Sequence, residues 1–83
     1  MIQVKKTTYE VEGSNQPCFV VTDGFTEVRI SKFYHYLSKD ILYIRESIDG
    51  EYNSSEEING DFDSLTEEDA KRIALDYSVY LTH

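Results

Sequence analysis

The chain has 83 residues, 16 acids against 8 bases, a net charge of −8 at pH 7, and 40% apolar and 13% aromatic residues. That length allows one domain with one modest core, burying a little over ~60% of the unfolded surface, and the aromatic content excludes a disordered acidic tail. A single cysteine, Cys18, excludes an internal disulfide framework, the first twenty residues carry Lys5, Lys6, Glu10 and Glu12 in place of an apolar leader, and no apolar run approaches the ~20 residues of a membrane span. A soluble cytoplasmic protein with a reduced thiol is expected.

Residues 2–12 are rich in β-formers and predict a strand, with Ile2, Val4, Tyr9 and Val11 as core contacts. In one uninterrupted strand Val4 and Tyr9 face opposite ways, so a bulge or bend near Thr7 is expected. Gly13-Ser14-Asn15-Gln16-Pro17 predicts a loop. Cys18–Thr22 and Phe25–Ile30 flank Asp23-Gly24, a dipeptide suited to the positive φ angles of a two-residue hairpin turn. That hairpin puts Thr26, Val28 and Ile30 on one face and Glu27 and Arg29 on the other.

Residues 31–39 fit two elements. As a strand, Phe33, His35 and Leu37 share a face. As a short helix capped by Ser31, Phe33, Tyr34 and Leu37 do, and the good cap favours the helix. Ile41–Ile48 predicts a strand with Leu42, Ile44 and Ile48 inward. Asp49-Gly50 is a second hairpin dipeptide leading into Glu51–Ile58, and Asn59-Gly60 offers a third. Residues 64–81 predict the clearest helix: Ser64 with Glu67 fits a capping box, and Ala70, Ile73, Ala74, Tyr77, Tyr80 and Leu81 form one apolar stripe. Leu75 and Val79 fall off that stripe, i, i+4 apart, and suggest a second interface. The predicted fold is α+β: a small antiparallel sheet of four or five strands with the C-terminal helix across one face.

The charge is unevenly placed. Residues 46–69 hold ten carboxylates (Glu46, Asp49, Glu51, Glu56, Glu57, Asp61, Asp63, Glu67, Glu68, Asp69) and no Lys or Arg, which leaves the remainder slightly basic. Only Tyr52, Ile58 and Phe62 are there to anchor this part, which predicts a loosely held edge hairpin or extended loop.

Chemistry does not accompany the charge. An EF-hand needs Gly at loop position 6 and Glu at 12. From Asp49 these positions are Ser54 and Gly60, and from Asn59 they are Ser64 and Ala70, so both registers fail. Ten clustered acids make some pairing unavoidable, and they lack the apolar neighbours that raise a catalytic carboxyl's pKa. His35 sits among aromatic residues, as a structural histidine does. No phosphate loop, nucleophile elbow or zinc spacing is present, so no enzyme, metal or cofactor is expected. Direct nucleic-acid binding, which needs Lys and Arg against phosphates, is not expected either.

Recognition of a basic protein surface remains. In length, charge and lack of catalytic groups, though in no motif, the chain resembles the small acidic inhibitors encoded by phages and mobile elements: anti-CRISPR, antirestriction and nuclease-immunity proteins. The resemblance implies a non-enzymatic inhibitor, monomeric or homodimeric. It would cover a nucleic-acid-binding surface with Glu46, Asp49, Glu51, Glu56, Glu57, Asp61, Asp63, Glu67 and Glu68, with Tyr52 and Phe62 as apolar anchors. The alternative is a regulatory or assembly module docking through Leu75 and Val79.

Overall fold

The computed structural model describes residues 1–33 and 40–81. Five antiparallel strands, β1 (Gln3–Val11), β2 (Ser14–Thr22), β3 (Thr26–Lys32), β4 (Ile41–Ile48) and β5 (Glu51–Asn59), form one sheet in chain order, so β1 and β5 are its two edges. A 3-10 turn, Phe62–Ser64, leads into one C-terminal helix, α1 (Glu67–Tyr77). Among the described residues no helix is long and apolar enough to cross a membrane.

Strand alternation builds the core on the helix side. Phe19 lies opposite Ile30, Val21 opposite Val28 and Ile30 opposite Ile44, and all are buried together with Leu42. Ala70 and Ala74 of α1 are fully buried on this layer, their small side chains allowing close approach, and Phe62 and Leu81 complete the cluster. The Phe19 and Phe62 rings lie 5.4 Å apart, with the Lys6 ammonium 5.5 and 5.7 Å from their centroids.

Several expectations are corrected. β1 pairs with β2 from Gln3 to Val11 without a register shift, so there is no bulge near Thr7. Val4 joins the helix-side core, while Tyr9 takes the other face, where the Arg29 guanidinium stacks on its ring at 4.3 Å. The predicted loop at 13–17 is mostly strand: the turn is Glu12-Gly13 (φ 49° and 83°), and β2 starts at Ser14. Pro17 is tolerated because pairing with β3 begins only at Cys18, so that among the described residues β1 alone flanks β2 there. The next turn has three residues, Asp23-Gly24-Phe25. The Asp23 carboxylate accepts from the amides of Phe25 (2.9 Å) and Thr26 (2.7 Å), so its side chain closes the turn.

Ser31 is a residue of β3, its buried hydroxyl without a hydrogen-bond partner among the described residues. The remainder of the helix expected at 31–39 falls largely on residues 34–39, outside the described residues. Asp49-Gly50 forms the expected turn (φ 51° and 81°), but Asn59-Gly60 is not a hairpin. At Gly60 a Cβ would sit 2.7 Å from Leu42 Cδ1, so glycine there serves close packing. The helix cap falls two residues later than predicted. Thr66 caps the helix, accepting from the Asp69 amide (3.1 Å) while Asp69 accepts from the Thr66 amide (3.0 Å). It ends at Tyr77, after which Ser78 is extended.

Candidate functional site

The ten carboxylates of 46–69 do not share a face, and three of them hold the fold together. Glu46, predicted on the docking surface, is 2% exposed. It follows Leu42 and Ile44 on the helix side of β4, opposite Val28 and Ser54. One carboxylate oxygen accepts from Asn53 Nδ2 at 2.7 Å and the other from the Ser78 hydroxyl. Ser78 Oγ in turn accepts from the amides of Tyr80 (3.2 Å) and Leu81 (3.1 Å). Glu46 therefore ties the end of α1 to the sheet, and Ser54 and Tyr77 add a second tie, their hydroxyls sharing a hydrogen bond of 2.6 Å. Burial withdraws Glu46 from any partner.

Asp61 and Asp69 are caps. Asp61 closes the 3-10 turn, accepting from the Ser64 hydroxyl (2.6 Å) and the Asp63 amide (3.2 Å), and these bonds hold its carboxyl below the usual value. The Thr66 amide, then its hydroxyl, lower Asp69 in the same way. Phe62, predicted as an exposed anchor, is 3% exposed and belongs to the core, so the acidic part is held more firmly than expected.

The other acids are exposed and spread out. Asp49 lies on the β4–β5 turn, Glu51, Glu56 and Glu57 lie on β5, Asp63 stands 3.8 Å from the Lys32 ammonium, and Glu67 and Glu68 open α1. Asp49 with Glu51, and Asp61 with Asp63, are therefore not strand neighbours on one face. Glu56 and Glu57 project to opposite sides of the sheet, so negative charge wraps the β5 edge. Tyr52 shares that edge, 55% exposed, its ring 4.8 Å from the Arg45 guanidinium carbon and its hydroxyl sharing a 3.0 Å bond with Ser55.

Beside β5, on the helix side, runs a groove of about 250 Å³ lined by Ile44, Glu56, Ile58, Ile73, Asp76 and Tyr77. α1 packs mainly across β1, β2 and β3, and the groove lies between its Ile73, Asp76 and Tyr77 and the strands β4 and β5. Sequence reasoning missed Asp76 because it lies outside the acidic run. Its signal is local: it sits between Ile73 and Tyr77, both of which turn toward the sheet.

The second predicted interface comes apart. Leu75 packs against the core, whereas Val79 is 88% exposed beyond the end of the helix, so the two share no helical face. Cys18 is buried, and burial pushes its thiol up, opposed by the nearby Arg29 guanidinium. Among the described residues no three His, Cys, Asp or Glu side chains are grouped to hold a metal. No family profile, curated protein or solved structure matches the chain.

Proposed function

We propose that the protein is a non-enzymatic inhibitor that covers a basic, nucleic-acid-binding surface of a target protein, and that it does so with the β5 edge. One observation carries this reading: Glu51, Glu56 and Glu57 are exposed along an edge strand and hold no ion pair among the described residues. Unneutralised carboxylates there speed encounter with a cationic partner at low salt and are screened at high salt. Asp49 and Asp63 extend the charge at the two ends of β5, and Tyr52 is the aromatic available for apolar contact. This is the mode of the small acidic inhibitors the chain resembles, directed at a nuclease or a CRISPR or restriction complex.

The experiment is capture from the native cell at low salt with elution by a salt gradient. A basic nucleic-acid-binding protein is expected, displaced by competing duplex DNA. E51K/E57K/D63K avoids the caps and the core, so it should melt with the wild type and capture nothing. Undiminished capture by that variant, or retention indifferent to salt, sinks the proposal.

A further inference from the structure

The open edge and the groove beside it point to how the partner is held. Among the described residues nothing pairs with the outer side of β5, which contains neither proline, glycine nor lysine, so its outward amides and carbonyls are available to another strand. Pairing with β5 of a second copy would gather six glutamates and no cation on one strand pair, which is unfavourable. A basic strand meets the opposite situation. Its side chains alternate between the two faces, so those on one face meet Glu57 and those on the other lie beside Glu56 at the mouth of the groove.

The groove suits one kind of side chain. Ile44, Ile58 and Ile73 offer apolar surface, Tyr77 adds a ring, and two carboxylates, Glu56 and Asp76, line the same space with no ion pair among the described residues. A lysine or arginine has that composition in reverse, an aliphatic stem ending in a cation. Resting on the reading of β5 as the docking edge, we propose that an extended basic segment of the partner protein adds to β5 as a sixth strand. One long cationic side chain of that segment lies in the groove, its stem on Ile58 and Ile73 and its head group against Glu56 and Asp76. Backbone pairing then supplies affinity and the groove supplies selectivity.

The probe is a fluorescein-labelled nine-residue peptide alternating arginine and threonine, read by anisotropy at low salt, with amide exchange to locate it. Binding is expected to slow exchange along β5, to weaken about tenfold or more in E56K/D76K, and to vanish when alternate peptide amides are N-methylated on the pairing side. Equal binding by the N-methylated peptide, unchanged affinity in E56K/D76K, or protection at β1 instead of β5 overturns the proposal. So does concentration-dependent self-association of the protein alone that protects both β1 and β5, because the edge would then take the basic edge of a second copy. If E51K/E57K/D63K loses the native partner while D76K keeps it, the acidic-edge reading stands and the groove falls. If neither variant loses it, both fall.

Discussion

β5 and the crossing segment 61–69 are each nine residues long, and the second is the richer in acid, with five carboxylates against three. Yet in the crossing segment Asp61 and Asp69 accept hydrogen bonds from the backbone and hydroxyls they cap, and Phe62 and Leu65 are drawn into or against the core. On β5 the three glutamates are exposed and hold no hydrogen bond or ion pair among the described residues, and the strand's partially buried residues, Ser54 and Ile58, face the helix side. Density of like charge therefore does not mark a docking surface. What separates the two segments is that two of the five carboxylates in 61–69 have hydrogen-bond donors within the fold, whereas none of the three on β5 has one among the described residues. A satisfied carboxylate has less to gain from a partner than a free one.

The widest difference is expected at Phe62. Phe62→Ala removes a buried ring packed on Phe19 and should cost about 3–5 kcal/mol, out of a total of about 4–12 kcal/mol for a domain this size. Urea unfolding would read it, and loss of a cooperative transition is within the expected outcome. A shift comparable to that of an exposed residue would put Phe62 back on the surface and erase the contrast between the segments.

Ser78 comes next, because it holds the far end of α1 to the acidic segment through Glu46. Ser78→Ala strips a donor from a buried carboxylate and an acceptor from the Tyr80 and Leu81 amides, a loss of about 1–3 kcal/mol. Amide exchange at Leu81 should quicken. Repeating the substitution in a Glu46→Gln background isolates the coupling, and a non-zero interaction energy is expected for residues in direct contact.

Much of this fold was legible from residue order. Alternation in Thr26-Glu27-Val28-Arg29-Ile30 and the Asp-Gly dipeptides located β3, β4 and β5 and placed two of the turns. The start of β2 was hidden because Pro17 argues against a strand only where both sides must pair, and the chain does not announce that β3 stops short. Ser64 and Thr66 both begin a capping pattern; tertiary anchoring by Phe62 and Leu65, invisible locally, selects the second. Glu46 was legible in principle, since the period that turns Leu42 and Ile44 inward turns it inward too, but its membership in an acidic run obscured that. The groove was not legible, because it depends on which strands α1 leaves uncovered.

The smallest effect separates the segments by pH. Hydrogen bonds to Asp61 and Asp69 hold their folded carboxyls below the ordinary value of 3.8. A group with a depressed folded pKa adds stability that is fully present above its unfolded pKa and drains away as pH falls through the folded one. The wild type should therefore lose stability below pH 3.8 in part through these two caps, and D61N/D69N, with nothing left to titrate there, should lose less over the same interval. Urea midpoints of the two proteins at descending pH make the comparison, and their difference should narrow toward the acid end. A constant difference would mean that the caps do not sense protonation, and the carboxylates of 61–69 would then be as free as those of β5.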